Sequence, residues 1–417
     1  MDLFGTEKDP ERVKRAIKCD QRMREIMAAY YLEAKAPKAQ HGKKIAWITS
    51  GGPVEPLIMM DIIPVYPENY GAMIGASKMG GDLCEKAEAM GYARDLCAYA
   101  RSDIASSRVN GGPIGGLPEP DMLICCNNIC GTVMKWYEVQ ARYYDVPLFI
   151  LDTPMCHTEY TPEMHRYMSR QIAEYVDFLE RVSGKPADLE RALQVGRLSL
   201  KAQRLWQEIL DTNLHRPAPM TCFDAFFHMA LIVTLRGSEI VVEYYQELLA
   251  ELKERVAAGI AMVPNETYRL LWDNIPVWYR MRWLSDRFAA HGAALVADTY
   301  TSGWVSSMQY VNEDDPVGSL AESYARIFLN TGTDSMAENI VSMAKRYHAD
   351  GLVIHSNRSC KPYSLGQYDI QRIVERKAAI PSIILEADMV DDRAFSESQI
   401  ATRIDAFIEM LKERFAG

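Results

Sequence analysis

The sequence predicts an α/β fold, because short apolar runs typical of buried strands alternate with segments long enough for helices. In the first part of the chain these runs are KKIAWIT (43–49), DMLICC (121–126) and PLFILD (147–152). The pattern returns in GAALVAD (292–298), DGLVIH (350–355) and PSIILEAD (381–388). Alternation of this kind favours βαβ units, whose parallel strands are buried on both faces.

The same pattern divides the chain into four segments. We predict an N-terminal helical segment at 1–40, a first α/β domain at 41–160, a helical segment at 161–265 and a second α/β domain at 266–417. A chain of 417 residues also exceeds the size at which a single core keeps growing. Two domains with parallel sheets, a helical N-terminus and a helical insert are therefore expected.

Helical periodicity supports the two helical segments. In the leading segment apolar residues recur at helical spacing at Val13, Ile17, Met23, Ile26, Met27 and Tyr30. In the middle segment Thr161 is suited to cap a helix, and Pro162 to occupy its first position. We expect further helices at 189–211 and 238–257, where apolar residues follow the same period.

Composition excludes several classes of function. The formal net charge is −10 and no cluster of Lys or Arg offsets it locally, so we expect no nucleic-acid partner and no anionic membrane partner. No apolar run reaches the roughly 18 residues that a membrane-spanning helix needs. The charged start lacks the pattern of a signal peptide. We therefore expect a cytoplasmic protein that binds small molecules or other proteins.

The nine cysteines of such a chain are expected to be core residues, metal ligands or redox thiols rather than disulfides. Functional loops follow the carboxyl ends of parallel strands. Cys130 lies four residues beyond the DMLICC run, and Cys360 lies five residues beyond DGLVIH. Cys97 lies in YARDLCAYARSD, which we interpret as helical, and could reach the same cleft.

Three thiolates from distant segments are too widely spaced for a zinc finger or a CxxC pair. They suit an iron–sulfur cluster, in which three ligands in place of four would leave one iron open to water or to a substrate oxygen. The alternative is three unrelated core cysteines, because free cysteine is among the most buried residue types. Cys125 and Cys126 do not join them, since neighbours on a strand point to opposite faces.

Five stretches of the sequence form a specific combination: SGGPVEPLIMMDIIPVYPENYGAMIGA, DLCAYARSD, CNNICGTVMKWYE, IHSNRSCKPYSLGQYDI and LEADMVDDRAFSESQIATRIDAFIEML. Together they resemble the 2-hydroxyacyl-CoA dehydratase and benzoyl-CoA reductase family, over nearly the whole chain. The resemblance implies one of two related subunits, each with two flavodoxin-like domains and a [4Fe–4S] cluster between them. By motif the three ligands of the cluster iron are Cys97, Cys130 and Cys360, with one iron open to the CoA thioester.

The family's catalytic serine and glutamate correspond to Ser50 in ITSGG and Glu68 in YPENY. Ser50 ends a strand at a Gly-Gly turn, where it could face a ligand carbonyl; ordinary turn chemistry is the alternative. Glu68 could transfer a proton if burial raises its pKa, or be a solvated loop residue. His355, Asn357 and Arg358 could donate hydrogen bonds to the cluster or ligand, although His355 could equally be a satisfied strand-end histidine.

The sequence contains no phosphate loop and no dinucleotide-binding turn, so we predict no nucleotide or flavin site on this chain. The resemblance implies two protein partners, a paralogous cluster-bearing subunit and a separate iron–sulfur ATPase. We favour an ATP-dependent benzoyl-CoA reductase, which reduces an aromatic ring by low-potential single-electron transfers. The alternatives are a 2-hydroxyacyl-CoA dehydratase acting through a ketyl radical, and a non-catalytic electron-relay subunit.

Overall fold

Two parallel sheets of four strands form the framework of the computed structural model, which describes residues 15–36, 40, 42–312, 314–315 and 317–416. The first sheet contains β1 (Ile45–Ile48), β2 (Ile63–Val65), β3 (Met122–Cys126) and β4 (Leu148–Leu151). The second contains β5 (Tyr268–Asp273), β6 (Ala293–Asp298), β7 (Gly351–Asn357) and β8 (Ser382–Ala387). The apolar runs of the sequence correspond to six of these strands.

Both sheets have the same strand order, β2-β1-β3-β4 in the first and β6-β5-β7-β8 in the second. The described strand pairs are parallel. This is the order of the first four strands of a flavodoxin-like fold. The predicted α/β class with two flavodoxin-like units is therefore confirmed. One sheet lies within 41–160 and the other within 266–417, while the exact domain boundaries stay a prediction.

Helices flank the strands in each part of the chain. The first part contains α1 (Asp20–Lys35), α2 (Glu55–Met59), α3 (Pro67–Ala76), α4 (Gly80–Ala89), α5 (Ala98–Val109) and α6 (Thr132–Tyr144). The middle segment contains α7 (Pro162–Ser183), α8 (Leu189–Asp211), α9 (Cys222–His228), α10 (Ala230–Thr234) and α11 (Glu239–Ala257). The last part contains α12 (Met281–Ala289), α13 (Thr299–Ser302), α14 (Leu320–Ala325), α15 (Thr333–Arg346), α16 (Lys361–Ser364), α17 (Gln367–Ala378) and α18 (Glu397–Ala416). Within the described ranges, no helix is long and apolar enough to cross a membrane.

A distant carboxylate binds the backbone immediately before the leading helix α1. The N–H groups of Lys18 and Cys19 donate to the Glu251 carboxylate at 2.7 and 3.0 Å. Cys19 is the residue that precedes the first turn, so this contact anchors the start of α1 to the middle segment. Met23 is buried on its apolar face, as predicted. The expected earlier part of the helix, including Val13, lies outside the described residues.

The helices of the middle segment cover one face of the first sheet. Thr161 caps α7 by accepting a hydrogen bond of 3.3 Å from the third residue of the helix, and Pro162 takes the first position, as the sequence predicts. Leu179 of α7 and Trp206 of α8 share a core with Ile48 of β1. Burial of each such side chain stabilises the fold by about 1.5–3 kcal/mol. In contrast, α9 packs against the second sheet, so the segment contacts both sheets.

The sequence pattern misses two strands. β2 has only three residues, IPV, and one of them is Pro64. Proline lacks a backbone donor and is confined to edge positions, which is where β2 lies. β5 reads YRLLWD, and its buried Arg269 and Asp273 interrupt the apolar run. Both strands are therefore specified by tertiary contacts more than by their own composition.

The expectation that Cys97 lies within a helix is wrong. The residue immediately precedes α5, with φ −48° and ψ 127°. The Arg101 side chain donates from Nε to the Leu96 carbonyl at 3.0 Å. This contact stabilises a turn at a point where the sequence alone would allow the helix to continue.

A buried ion cluster joins the two α/β parts of the chain. Arg101 of α5 contacts Glu88 of α4 at 2.6 Å and Asp391, which follows β8, at 3.2 Å. Arg393 contacts the same two carboxylates at 2.6 and 2.7 Å. The side chains of Arg101 and Asp391 are 1% and 0% exposed. Because water cannot solvate these charges, each depends on its partners.

We expect Asp391→Asn to lower the free energy of unfolding by about 3 kcal/mol, because the buried Arg101 then has only the Glu88 carboxylate, which it shares with Arg393. Urea unfolding followed by circular dichroism measures the change. The matched control is Glu163→Gln, which removes an exposed ion pair with Arg166 of 2.9 Å. That variant should stay within about 0.5 kcal/mol of the unmodified chain. Equal stabilities of the two variants would contradict a structural role for the buried cluster.

Candidate functional site

A cavity of about 180 Å³ lies at the carboxyl ends of strands from both sheets. Segments that follow the strands form its wall, with Ser50 after β1, Cys130 after β3, Tyr300 after β6 and Cys360 after β7. Cys97, immediately before α5, also lines it. Open parallel sheets collect their functional residues at this edge. The structure thus brings together the three cysteines that the sequence singles out, and we call this space the cysteine cavity.

Backbone N–H groups face each of the three sulfurs. Each cysteine lies just before a helix, so the first turn of that helix presents unpaired donors. The residues that supply these N–H groups are Tyr99 and Ala100 for Cys97, Thr132 and Val133 for Cys130, and Tyr363 for Cys360. Such donors stabilise a thiolate more than a neutral thiol. The loops are therefore suited to hold negatively charged sulfur.

Burial opposes ionisation of the same thiols. It raises the pKa of Cys97 to about 12 and also raises the pKa of Cys130. The pKa of Cys360 lies well above that of an ordinary thiol, because of burial and of its neighbours Cys97 and Cys130. A bound cationic centre would remove this penalty, since metal coordination deprotonates a thiol.

Three soft sulfur donors around one cavity fit an iron–sulfur cluster. Among the residues that the structure describes, no three His, Cys, Asp or Glu side chains are placed to hold a single metal ion. The three-cysteine [4Fe–4S] cluster therefore stays a prediction, with a donor set of suitable chemistry.

One hydrogen bond couples the loops that carry Cys97 and Cys360. The Ala98 N–H donates to the Ser359 hydroxyl oxygen at 3.1 Å, although the two residues are 261 positions apart. Ser359 is buried. A buried bond between the residues next to two candidate ligands restricts how far the two sulfurs can move relative to each other.

Ser50 and Glu68 meet at the edge of the cysteine cavity. The Ser50 N–H and hydroxyl donate to Glu68 Oε1 at 3.1 and 3.4 Å. Tyr137 of α6 donates to the other carboxylate oxygen at 3.1 Å. Burial raises the pKa of Glu68 to about 7, and these three hydrogen bonds oppose the rise. Glu68 is only 8% exposed, so it is not a solvated loop residue.

A second cavity of about 590 Å³ adjoins the first. The two share the lining residues Ser50, Glu68, Tyr300 and Trp304. We call it the methionine cavity, because methionines from four parts of the chain line it, at positions Met23, Met27, Met73, Met229 and Met281. Its wall also includes Leu32, which is 73% exposed, so this cavity reaches the surface beside α1.

Two cationic side chains lie along the methionine cavity. Lys35 is exposed, and its ammonium group donates to the carbonyls of Ile114, Gly115 and Gly116 at 2.5, 3.1 and 3.1 Å. The Arg24 guanidinium lies 5.2 Å from the centre of the Phe227 ring. The outer part of this cavity is therefore positive, in contrast to the inner part at Glu68.

The three residues expected around the cluster lie away from both cavity walls. His355 is buried within β7, where Nδ1 donates to the Ile275 carbonyl at 2.6 Å, and burial lowers its pKa to about 4. Asn357 is buried beside the Met389 sulfur, 2.9 Å from its amide nitrogen. The Arg358 N–H continues the sheet by donating to the Ala387 carbonyl at 2.9 Å. Their contact with a cluster stays a prediction.

Sequence reasoning missed Tyr137 and Arg236. Tyr137 lies on α6 among other aromatics, and only its contact with Glu68 distinguishes it. Arg236 is 3% exposed and lines the cysteine cavity. A signal for Arg236 was present, because it is a single charge between the apolar run ALIVTL and Gly237, whose φ is +84°. A charged residue between an apolar helix and a turn that requires glycine is expected to be buried, and a buried charge needs specific partners.

Comparison with known proteins identifies the family. The family model described as 2-hydroxyglutaryl-CoA dehydratase, D-component, matches residues 49–411. The (R)-2-hydroxyisocaproyl-CoA dehydratase alpha subunit of Clostridioides difficile is 34% identical, covering 94% of this chain and 95% of its own. The lactoyl-CoA dehydratase subunit alpha of Anaerotignum propionicum is 31% identical, covering 92% and 94%. A benzoyl-CoA reductase subunit of Thauera aromatica is 28% identical, covering 98% of each chain. The chain therefore belongs to the family of 2-hydroxyacyl-CoA dehydratase and benzoyl-CoA reductase subunits.

Proposed function

We propose that the chain is a catalytic subunit of a 2-hydroxyacyl-CoA dehydratase, with a [4Fe–4S] cluster held by Cys97, Cys130 and Cys360. The observation that carries the proposal is the convergence of these three thiols with Ser50 and Glu68 on one buried cavity. Relatives named as dehydratase alpha subunits match nearly the full chain, which supports the lyase reaction. A paralogous subunit and a separate iron–sulfur ATPase would complete the enzyme.

Benzoyl-CoA reductase, the reaction favoured from the sequence, is the second candidate. The full-length similarity to the benzoyl-CoA reductase subunit of Thauera aromatica supports it. Both candidates use a CoA thioester, so the same cavities serve either reaction. If the chain were instead a non-catalytic electron-relay subunit, a fourth protein ligand would be expected to close the cluster.

When bound, the cluster would supply a low-potential electron and an iron open to a substrate oxygen. The chain's own residues then position the thioester and move protons. Ser50 lies where the two cavities meet, so its hydroxyl can turn from Glu68, 3.4 Å away, and donate to the thioester carbonyl. Glu68, with a pKa near 7, exists in both protonation states at neutral pH and can take a proton from the acyl chain or return one.

The methionine cavity suits the pantetheine arm of CoA. Its wall is mostly apolar, flexible methionine adapts to extended ligands, and the cavity reaches Ser50 from the surface. The positive charges of Arg24 and Lys35 along it can attract the CoA phosphates. With the pantetheine arm in the methionine cavity, the acyl group would lie in the cysteine cavity, beside the cluster ligands.

The reaction itself tests the proposal. We expect the complex, with its partners, ATP and a strong reductant under anaerobic conditions, to dehydrate a 2-hydroxyacyl-CoA to the enoyl-CoA. Chromatography of the thioesters measures the 2-hydroxyacyl-CoA that is consumed and the enoyl-CoA that forms. Consumption of benzoyl-CoA without dehydration would instead establish the second candidate. Turnover of neither thioester would contradict a catalytic role.

Iron content tests the ligands. We expect Cys97→Ser, Cys130→Ser and Cys360→Ser each to lower the iron and sulfide of the anaerobically purified complex by the content of one cluster, because a hydroxyl is a poor cluster ligand. The control is Cys222→Ser, a buried cysteine in the core of the second sheet, which should retain its iron. Retention of iron in the first three variants would exclude these ligands.

We expect Glu68 to titrate near pH 7. Infrared difference spectroscopy measures this titration from the carboxyl band of Glu68, which is absent in Glu68→Gln. Tyr137→Phe removes a donor to the carboxylate, so we expect the pKa to rise, by about one unit for a hydrogen bond of about 1.5 kcal/mol. Tyr143→Phe is the control, because its hydroxyl donates only to the Ser107 carbonyl among the contacts described. An unchanged titration in Tyr137→Phe would contradict this account of Glu68.

A further inference from the structure

More carboxyl groups than cationic groups line the cysteine cavity. Among the described residues in its wall, the carboxyl groups are those of Glu55 and Glu68, and Arg236 is the one cation. Most of the remaining wall is apolar or aromatic, at positions Ile129, Val133, Leu200, Val311, Leu320 and Phe328. A ligand inside the cavity therefore lies near two carboxyl groups. An ion pair between the ligand and the protein requires that Arg236 reach the ligand.

The hydrogen bonds of Arg236 are already used within the chain. Nε donates to the Tyr324 hydroxyl at 3.3 Å. Nη1 contacts the carbonyls of Ile232 and Val233 at 3.5 and 3.1 Å. Nη2 contacts those of Ser50 and Gly52 at 3.4 and 2.6 Å. A guanidinium has five N–H donors, and these five contacts match that number.

Arg236 is therefore a positioning residue for the Ser50 turn rather than an anchor for a ligand anion. Its contacts hold the two carbonyls that flank Gly51, and Ser50 donates to Glu68 from this turn. The guanidinium also lies 5.3 Å from the centre of the Trp304 ring, which limits its movement. Releasing it toward a ligand would break several buried hydrogen bonds.

The two carboxyl groups of the cavity disfavour the binding of a ligand that carries a third. Glu55 is 5% exposed and accepts a hydrogen bond of 2.8 Å from the Tyr324 hydroxyl, which in turn accepts one from Arg236. The hydroxyls of Ser199 and Ser307 also line the cavity, but such donors replace only part of the hydration that a carboxylate would lose on entering it. A ligand carboxylate here would lose its hydration close to two carboxyl groups, and its charge would oppose their ionisation.

We propose that the cysteine cavity selects acyl groups without a charge, namely aliphatic or aromatic chains, and rejects acyl groups that end in a second carboxylate. The inference rests on the proposed function, in which the acyl group of a CoA thioester occupies this cavity. A hydroxyl on the acyl chain is compatible with it, because Ser199 and Ser307 can pair with a neutral polar group.

Equilibrium binding tests the proposal with a matched pair of ligands. Pentanoyl-CoA and glutaryl-CoA have five acyl carbons each and differ in one end, a methyl group in the first and a carboxylate in the second. Calorimetry on the anaerobic complex, without ATP or reductant, measures both, with free CoA as the reference. We expect pentanoyl-CoA to bind at least about tenfold more tightly than glutaryl-CoA.

Equal or tighter binding of glutaryl-CoA would overturn the inference while leaving the proposed function intact. If neither thioester binds more tightly than free CoA, the proposed function fails, and the inference fails with it. The two failures are thus distinguishable in one experiment.

Removing a cavity carboxyl group tests the cause of the selectivity. We expect Glu55→Gln, and separately Glu68→Gln, to reduce the ratio of the two dissociation constants severalfold by tightening glutaryl-CoA. The control is Glu266→Gln, a carboxyl group 2% exposed that pairs with Arg269 at 2.7 Å outside both cavities. The ratio should be unchanged there. A ratio that stays constant in both cavity variants would overturn the electrostatic explanation.

Discussion

The hydrogen bond from the Ala98 N–H to Ser359 couples two loops on which the site depends. Cys97 and Cys360 are its immediate neighbours, and they belong to different α/β parts of the chain. The buried contact between Arg101 and Asp391 joins the same two parts. A ligand set drawn from two domains has useful geometry only when the domains are fixed against each other, and these buried polar contacts accept only a narrow range of positions.

Low polarity gives the site its chemical properties. Burial raises the pKa of Glu68 into the neutral range and disfavours ionisation of the three thiols. The same burial prevents water from compensating the charge of Arg236, which is why backbone carbonyls surround it. Glu68, Arg236 and the three thiols are thus each contacted by a few fixed dipoles. This arrangement favours chemistry in which charge develops on the substrate in a site with little water.

The sequence was informative about elements with a strong local pattern. Strands at DMLICC and DGLVIH lie where expected, and the capped helix beginning at Pro162 was predicted together with its cap. Cys125 and Cys126 point into different cores, as alternation along a strand requires. The rule that functional loops gather at strand carboxyl ends placed Cys130 and Cys360 at one edge, and Cys97 was expected to reach the same cleft from a separate segment.

Features that depend on distant contacts were missed. β2 and β5 carry weak patterns and are fixed by their neighbours in the sheet. Tyr137 and Arg236 gain their importance from contacts with Glu68 and with the Ser50 turn, which lie 69 and 186 positions away. Periodicity reports on neighbours along the chain, and these pairings are not periodic. Only the folded arrangement shows which isolated polar residues face the cavity.

The central claim is that three cysteines hold a cluster with one iron open to the substrate. Iron K-edge X-ray absorption measures the ligands of that iron most directly, as the difference between the anaerobic complex and its Cys130→Ser variant, which is expected to lack this cluster. The measurement is made with and without a bound acyl-CoA. The account predicts an average of fewer than one cysteine sulfur per iron in this subunit's cluster, with an oxygen ligand that changes when the thioester binds. Four cysteine ligands per cluster, unaffected by the thioester, would contradict it.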